Sequence, residues 1–506
     1  MLTLRRVRVP AFALLIAAAV LYFCTRSSPA YPINDWSDAN IYLTIGKGIT
    51  RGQVMYRDLY DHKGPLLYML HAACAMISFD GFLGVYLMET AFAAAFLCCV
   101  YRLLKLYGAE RMAWLMLPVI AFVVYSPHSF SEGDSAEELC MPLLACSMCH
   151  GLAFLRSGHT RMSVRGLVAE GVLAGCVFWI KFTLIGVHAG LLLCLVLMPL
   201  ARRKWREALR AAGWLLMGVA ISTLPWLAYF GLNGAICDWL KTYLYDNLFL
   251  YGAEASGLGA RVRAMAVCGL EWLAGNLRYT LLILLGLGWF WLNKRRLAWE
   301  RAAVWLAAGL GALSIFIGGK DYPYYGQGLA PLAALGLVPI CLWLKKPLGA
   351  LTRRQFAALC ALACALSVGL CPLLCRNMTT DEGVQFGQAR EETMQYQFAA
   401  RIAETPDATL LNYGFMDAGF YTAAGLVPTV KYFHLNNVPL QEMRDEQNRY
   451  VDEALTDYVV TRGGGPESLE RNYELIATAS SPGYWYESVY LYRRRASAAD
   501  ETEGLK

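Results

Sequence analysis

Long apolar blocks alternate with short polar connections over the first three quarters of the chain. An α-helix needs about 20 mostly apolar residues to cross ~30 Å of hydrocarbon, so this pattern predicts membrane-spanning helices. We expect about eleven spans, at 9–24, 82–104, 111–126, 139–155, 166–180, 182–200, 211–231, 272–293, 302–318, 328–344 and 355–375. The pattern therefore predicts a polytopic α-helical membrane protein whose first helix is retained.

The connections between these blocks carry basic clusters that predict the orientation of the chain. Lys and Arg side chains gather at 102–111, 156–165, 202–206, 294–296 and 345–354, always on the side of the N-terminus. The positive-inside rule places that side in the cytoplasm. The apolar segment 65–79 is short, and a span there would move the later clusters to the outer face. We therefore expect this segment to be a helix at the outer membrane interface.

The composition changes to that of an ordinary soluble domain after residue 375. Helical patterns at 391–402 and 441–455 alternate with strand-like segments at 409–414, 458–462 and 485–493. Such alternation is typical of a small α/β domain. The predicted units are a transmembrane domain at 1–375 with its first outer loop at 25–81, an extracytoplasmic α/β domain at 376–495 and a disordered tail at 496–506.

Composition and charge exclude several other classes. The 506 residues are 57% hydrophobic and 17% charged, below the ~25% charged share of soluble domains. The net charge of +6 comes from separate clusters instead of one basic face, so no nucleic-acid partner is predicted. Nearly all of the 16 cysteines lie inside apolar spans, without zinc-ligand spacing. We interpret them as small hydrophobic residues and predict no metal site.

Ionisable residues concentrate where the hydropathy pattern places the outer membrane surface. Charged groups at membrane depth are costly, so they usually face a wet cavity and have a function there. Carboxylates and lysines on one face suit a reaction that deprotonates a nucleophile and stabilises an anionic leaving group. The candidates lie in the Asp-rich loop 31–70, in the acidic loop 126–142, at Lys181 between two short spans, and in the aromatic segment 320–327.

The first outer loop carries a specific resemblance. Asp38 is followed four residues later by Tyr42, then by a glycine and by YRDLYDHKGPLLYML at 56–70. This order resembles the first extracytoplasmic loop of GT-C glycosyltransferases, in particular the bacterial branch with lipid A aminoarabinose transferases and protein O-mannosyltransferases. The resemblance implies that Asp38 is the catalytic carboxylate. It also implies that Lys63 contacts the phosphate of a polyprenyl-phosphate sugar donor, although Gly64 is inserted where many relatives have Lys-Pro.

Other segments extend this resemblance over most of the chain. Lys181 in WIKFTLIG resembles a second lysine of these enzymes, which implies a donor-phosphate contact. Tyr324 or Tyr325 stands where the family often has His, so no protonation role carries over. The segment LLNYGFMDAGFYTAAG resembles the tail domain of bacterial members. The remaining candidates for lining the cavity are Tyr42, Arg57, Asp58, Asp61, His62, Glu137 and Glu138.

Several candidates have alternative interpretations. Asp38 is also placed to cap the helix that follows it, and Asp35 is the alternative base. Glu137 and Glu138 fit the acidic first turn of a helix. Lys63 fits an interfacial side chain that extends its charge towards water.

Histidines and neighbouring carboxylates raise a separate question. Asp58, Asp61 and His62 form either a metal site or, the preferred interpretation, a polar network in a turn. His71 and His188 lie on apolar stretches, where core packing is expected instead of ligation.

The combined interpretation is an inverting glycosyltransferase of the cell membrane. It would move a hexosyl or pentosyl group from a polyprenyl-phosphate donor to an envelope glycan, lipid or protein on the extracytoplasmic face. The lipid-linked donor is a co-substrate, and a need for a divalent metal is left open. The alternative is a polytopic transporter or lipid flippase, which predicts inverted repeats and charges near mid-membrane.

Overall fold

The structure, a computed structural model, describes residues 2–251, 257–293, 298–480 and 488–496, and only the backbone at 2–6 and 258. The predicted basic cluster at 294–296 and nearly all of the predicted tail lie outside the described residues. The helices up to residue 380 are α1 (Leu2–Cys24), α2 (Ser37–Thr50), α3 (Pro65–Ile77), α4 (Leu83–Leu106), α5 (Glu110–Tyr125), α6 (Ala136–Ser157), α7 (Val164–Lys181), α8 (Ile185–Ala201), α9 (Trp205–Leu232), α10 (Ile236–Trp239), α11 (Leu258–Gly275), α12 (Leu277–Leu292), α13 (Ala298–Phe316), α14 (Ala330–Gly349), α15 (Arg353–Gly369), α16 (Cys371–Leu374) and α17 (Arg376–Thr379).

A helix lies at each of the predicted span positions, but fewer helical stretches are long and apolar enough to cross a membrane. Among the described residues, seven are long and apolar enough to span a membrane, or eight if α11 and α12, bent by 103°, form one broken span. The number is below eleven partly because α7 and α8 together form one 38-residue apolar stretch. In addition, α5 has only 16 residues. The polytopic helical fold is thus confirmed, with seven or eight qualifying stretches.

Short non-α helical segments connect several of these helices. A π-helix at Leu240–Leu250 follows α10 directly. π-Helical segments are rare, and the single-turn π-bulges that account for most of them are frequent at functional sites. Single 3₁₀ turns lie at His128–Phe130, Phe182–Leu184, Tyr325–Leu329 and Arg390–Glu392.

Helices α2 and α3 cross closely and form the floor of the first outer loop. The 13 residues of α3 are apolar but too few to span, as the sequence predicts. Gly46 of α2 lies against the backbone of His71 in α3, where an added Cβ would be 2.5 Å from the carbonyl carbon. A residue without a side chain is therefore required at this crossing, and it fixes α2 relative to α3.

The C-terminal region forms the predicted small α/β domain. Its four strands are β1 (Leu410–Tyr413), β2 (Tyr458–Thr461), β3 (Tyr473–Ala479) and β4 (Val489–Arg494), and they lie in the order β1, β2, β4, β3. The first two are parallel, and β4 runs antiparallel to both β2 and β3. Its helices are α18 (Met394–Ile402), α19 (Phe420–Ala423), α20 (Gln441–Asp452) and α21 (Glu467–Asn472).

Strand β3 was not predicted from the sequence. It is an edge strand with a mixed pattern of buried and partly exposed residues, so it lacks the apolar run that marks a buried strand. The described part of the last strand begins at Val489, whereas the prediction began at residue 485. The first residues of that predicted strand, 485–487, lie outside the described residues.

The α/β domain packs directly on the first outer loop. The Nζ of Lys47 in α2 donates a hydrogen bond to the carbonyl oxygen of Tyr421, at 3.1 Å. The Gln53 side chain and the Tyr60 backbone amide donate to the carbonyls of Pro428 and Lys431, at 2.8 and 3.0 Å. Contacts at both ends of the loop therefore hold the domain beside the candidate site residues.

Candidate active site

Asp38 lies in the first turn of α2 and is surrounded by polar side chains from three segments. The Tyr42 hydroxyl, one helical turn later, donates a hydrogen bond to Asp38 Oδ2 at 3.0 Å. The Tyr324 hydroxyl lies 3.4 Å and Lys63 Nζ 3.8 Å from the same oxygen. The N-cap position of α2 is Trp36 and has no side-chain cap. Asp38 is thus available for contacts other than capping.

Asp61 forms a polar network with both domains. Its Oδ2 accepts a hydrogen bond from the Tyr68 hydroxyl at 2.6 Å, and its Oδ1 accepts from Asn436 of the α/β domain at 2.6 Å. The His62 ring nitrogen Nδ1 is 3.3 Å from Oδ1. Burial raises the pKa of Asp61, but His62 and Lys63 outweigh this and hold it well below its usual value. The carboxylate is therefore ionised at neutral pH.

Lys63 carries a stable positive charge between two carboxylates. Burial lowers the pKa of Lys63, but Asp38 and Asp61 outweigh burial and raise it above its usual value. The ammonium also lies 5.9 Å from the centre of the Tyr42 ring. Lys63 is thus a fixed cation beside Asp38.

Gly64 joins the two lysine-bearing segments. Its backbone amide donates a hydrogen bond to the carbonyl oxygen of Ile180 at 3.1 Å. A Cβ at this position would lie 2.0 Å from the Trp179 carbonyl oxygen, so a larger residue does not fit. The inserted glycine therefore allows the loop that carries Lys63 to pack against the end of α7, where Lys181 lies.

Lys181 and Glu137 form a buried ion pair on the other side of the site. Glu137 is in the first turn of α6, whose N-cap Ser135 accepts a hydrogen bond from the Glu138 amide. The Lys181 ammonium lies 3.9 Å from the centre of the Tyr325 ring, a cation–π contact. We call Asp38, Lys63, Glu137 and Lys181 the cavity cluster, because its two lysines line the cavity described next.

A cavity of about 430 Å³ adjoins this cluster. Its polar part contains cationic or titratable side chains from four segments of the chain, which are His62, Lys63, Lys181, Arg261 and Lys320. Its apolar part includes Leu248 and Phe249 at the end of the π-helix, together with Ala264, Ile315 and Ile317. The cavity therefore combines a basic end with a hydrophobic wall, as an amphipathic anion requires.

Two of the predicted carboxylates have other partners. Asp35 is buried in an ion pair with Arg26 at 2.6 Å, and it accepts a hydrogen bond from the Val384 amide at 3.1 Å. Asp58 pairs with Arg57, at 2.8 Å, near the protein surface. The hydrogen bond from Arg57 lowers the pKa of Asp58, although partial burial opposes this. Neither carboxylate lines the cavity.

Glu138 belongs to a second group of acids, which the sequence did not predict. Asp134 donates its backbone amide to Glu138 Oε2 at 3.0 Å and to Glu89 Oε1 at 2.8 Å. The Asp134 carboxylate in turn lies 2.9 Å from Nε2 of His71. We call His71, Glu89, Asp134 and Glu138 the enclosed cluster, since each is at most 1% exposed. An acid inside an apolar block, such as Glu89, is the sequence signal that was available.

Candidate metal ligands do not come together within the described residues. No group of three or more His, Cys, Asp or Glu side chains there is arranged to hold a metal ion. Asp61 and His62 contact each other, whereas Asp58 pairs with Arg57. His188 is fully buried, and neither ring nitrogen has a hydrogen-bond partner among the described residues, so it is less well satisfied than expected.

Some residues of the site had no signal in the sequence. His434 and Asn436 come after the predicted strand 409–414, in a stretch that forms neither a helix nor a strand. His434 Nε2 lies 3.3 Å from the carbonyl oxygen of Tyr60. The α/β domain therefore contributes directly to the network around Asp61.

Comparison with known proteins gives a structural likeness without a sequence match. No family model and no curated protein matches the chain. ArnT from Cupriavidus metallidurans matches in the apo state with a TM-score of 0.57, and bound to undecaprenyl phosphate with a TM-score of 0.55. Each alignment is 14% identical and covers 97% of this chain and 98% of ArnT.

A third structure is similar over only part of its length. The arabinofuranosyltransferase AftD from Mycobacteria is 15% identical, with 97% of this chain and 40% of AftD covered and a TM-score of 0.44, which is too low to support an argument. The ArnT likeness extends over nearly the full length of both chains, including the C-terminal domain. The chain therefore shares the fold of ArnT, as expected from the resemblance of its first outer loop.

Proposed function

We propose that the protein is an inverting glycosyltransferase that moves a sugar from a polyprenyl-phosphate donor to a cell-envelope acceptor on the extracytoplasmic face. The observation that carries this proposal is the position of Asp38. Its carboxylate lies 3.8 Å from the ammonium of Lys63, which lines a cavity with a basic end and an apolar wall. A base and a binding site for an amphipathic anion are thus adjacent.

The cavity suits a lipid phosphate better than a free sugar nucleotide. Lys63 and Lys181 supply positive charge at one end, and Phe249 and Ile315 supply apolar surface beside it. Hydrocarbon favours the apolar wall, while the phosphate favours the two ammonium groups. ArnT, which shares the fold, was solved bound to undecaprenyl phosphate, and this supports the same class of donor here.

The reaction follows as a single displacement at the anomeric carbon. The hydroxyl oxygen of the acceptor attacks this carbon, and the hydroxyl proton passes to the carboxylate of Asp38. The bond between the anomeric carbon and the phosphate oxygen breaks, and its electron pair leaves with polyprenyl phosphate. Lys63 and Lys181 stabilise the charge that grows on this phosphate. Attack from the face opposite the leaving group inverts the anomeric configuration.

A second cleft beside Asp38 is the proposed route for the acceptor. It has a volume of about 660 Å³ and is lined by Trp36 and Ser37, the two residues before Asp38. Phe415 and Asn436 of the α/β domain line its opposite side. An acceptor in this cleft would approach Asp38 between the two domains, which gives the α/β domain a role in acceptor binding.

The basic clusters support the proposed orientation. Lys105, Arg202 and Lys345 lie at helix ends opposite the first outer loop, and all three are exposed. The positive-inside rule places these ends in the cytoplasm and Asp38 outside. The N-terminus is then cytoplasmic, and the α/β domain is extracytoplasmic.

The test uses purified protein in nanodiscs with a panel of polyprenyl-phosphate hexoses and pentoses. We expect the wild type to consume one donor, and Asp38→Asn to bind that donor without turning it over. Asp58→Asn serves as the matched control, since Asp58 pairs with Arg57 near the surface and lines neither the donor cavity nor the second cleft. Equal turnover by wild type and Asp38→Asn would reject Asp38 as the base. Retention of the anomeric configuration in the product, followed by NMR, would reject the single displacement.

A further inference from the structure

A large groove lies at the end of the molecule opposite Asp38. It has a volume of about 1690 Å³, far larger than the donor cavity, and is formed by α1, α4, α5 and α15. The N-terminal half of α1 contributes to it, whereas the C-terminal end of α1 leads into the first outer loop. The groove is therefore separated from the candidate active site by the thickness of the helical domain.

The rim of this groove is basic. Arg8, Arg102, Lys105, Arg111 and Arg353 line it, together with the single acid Glu110. The ammonium of Lys105 pairs with Glu110 at 3.0 Å. Arg111 donates to the carbonyl oxygen of Leu351 at 2.7 Å and stacks on Phe356, 4.4 Å from its ring centre. Two of the five cations are thus engaged within the protein.

The other three arginines line the same groove from different helices. Arg8, Arg102 and Arg353 are exposed, and no ion pair joins them to any acid among the described residues. Arg353 is also the first residue of α15, whose first turn contains no acid. A cation there opposes the helix dipole, so its charge does not serve the stability of the helix. The three guanidinium groups, on three different helices, are available to an external anion.

The walls of the groove are apolar and open to the membrane. The rings of Phe12 and Trp114 lie on one side, 5.3 Å apart between centroids and tilted by 53°. Phe356, Cys360 and Cys364 form a row along α15 on the other side. Only 11% of the apolar stretch that includes α15 is buried inside the protein, so most of this helix faces outward. A ligand can therefore reach the groove sideways from the lipid phase.

We propose that this groove binds an anionic diacyl phospholipid of the leaflet opposite the catalytic loop. Basic pockets between transmembrane helices on the cytoplasmic side bind anionic headgroups. Guanidinium groups match phosphate oxygens in charge and geometry. In this arrangement two acyl chains would lie against Phe12, Trp114 and Phe356, with the headgroup at Arg8, Arg102 and Arg353. The lipid would join α1 to α15 and brace the helical domain from below the active site.

The test measures lipid binding to delipidated protein by native mass spectrometry. Phosphatidylglycerol, phosphatidylcholine and undecaprenyl phosphate are titrated separately and in competition. We expect phosphatidylglycerol to bind more tightly than phosphatidylcholine. Each removed charge near a membrane surface lowers anionic-lipid affinity about fivefold, so Arg8→Gln/Arg102→Gln/Arg353→Gln should lose on the order of a hundredfold. The corresponding triple Lys variant should keep most of the affinity, which guards against a folding defect in the Gln variant.

A matched control removes the same charge from the same side of the protein. Arg165, Arg203 and Arg354 are exposed and lie outside the groove. Their triple change to Gln should leave phosphatidylglycerol binding unchanged. An equal loss in this control, or equal binding of phosphatidylcholine by the wild type, would overturn the site. Undecaprenyl phosphate is also expected in the donor cavity, so its binding to the groove is judged from the variants. A loss of undecaprenyl phosphate binding in the groove triple Gln variant as large as the loss of phosphatidylglycerol binding would overturn the diacyl assignment.

Discussion

Two groups of ionisable side chains lie near each other where the first outer loop packs on the helices, and they differ in what surrounds them. The cavity cluster pairs two acids with two lysines, and its lysines line an open cavity. The enclosed cluster has three acids and one histidine, and its members are at most 1% exposed. Charge balance and access to a cavity therefore distinguish a group that can do chemistry from one that holds the fold.

Two adjacent residues of α6, Glu137 and Glu138, belong to different clusters. Glu137 pairs with Lys181 in the cavity cluster, while Glu138 accepts the Asp134 amide in the enclosed cluster. Successive residues of an α-helix point about 100° apart, so two adjacent acids face different surroundings. The enclosed cluster joins α3, α4 and α6. We therefore expect changes in it to lower stability and changes in the cavity cluster to lower activity or donor binding.

The largest expected effect separates chemistry from stability. Asp38→Asn removes the proposed base, and loss of general-base catalysis lowers turnover by about 10²–10⁴-fold. Thermal unfolding should stay close to that of the wild type, because Asn keeps the contacts with Tyr42 and Tyr324. Steady-state turnover and a melting curve on the same sample measure both. A large drop in melting temperature would place Asp38 with the structural residues instead.

The enclosed cluster should respond in the opposite way. His71→Ala leaves the Asp134 carboxylate buried without its partner, which costs about 3–5 kcal/mol of unfolding free energy. Denaturant titration in detergent measures this loss. His188→Ala is the matched control, since His188 is equally buried but makes no hydrogen bond to a described residue. Similar losses for both variants would show that His71 contributes only packing.

Removal of a lysine from the cavity cluster should mainly weaken donor binding. Lys63→Gln deletes the cation that lines the cavity beside Asp38. A hydrogen bond to a charged group contributes about 1.5–3 kcal/mol, so donor affinity should fall about 10- to 100-fold. Isothermal titration with the donor found for the wild type measures this change. Lys241→Gln, an exposed pair with Glu442, is the control and should bind normally.

Gly64 tests whether the two lysines must be held together. Gly64→Ala places a methyl group against the carbonyl oxygen of Trp179, and overpacking of this kind costs about 1–3 kcal/mol. We expect a lower melting temperature together with a higher KM for the donor. Gly463→Ala has open space around the added carbon and should change neither value. An unchanged KM in Gly64→Ala would show that the spacing of the lysines tolerates movement.

The smallest expected effect is a change of stability with pH that comes from Lys47 in the first loop. Its pKa is lowered, whereas the pKa of Lys63 is raised. Burial lowers the pKa of Lys47 to about 7, although Asp417 and Asp80 oppose this. The unfolded chain then binds more protons than the folded chain between about pH 7 and pH 10, so stability rises with pH in this window. The rise should be on the order of 1–2 kcal/mol from pH 7 to pH 9. Melting curves at both pH values should show a smaller rise in Lys47→Met than in the wild type.

The sequence alone predicted the membrane fold and the contacts at the centre of the candidate site, for identifiable reasons. Apolar blocks of about 20 residues fix the positions of the helices, because a helix satisfies all its backbone hydrogen bonds within one segment in hydrocarbon. Tyr42 follows Asp38 by one helical turn, and Lys63 lies in the same loop, so local spacing brings them together. The α/β domain followed from its alternating helices and strands, apart from the half-exposed edge strand β3.

Only the tertiary structure decided which distant side chains meet. The pairing of Lys181 with Glu137, the contact of Asn436 with Asp61 and the assembly of the enclosed cluster join residues far apart in the chain. No periodicity records these contacts, because they depend on how helices rotate and cross. The basic groove at the opposite end has the same origin, since its arginines come from three helices and form one surface only after packing.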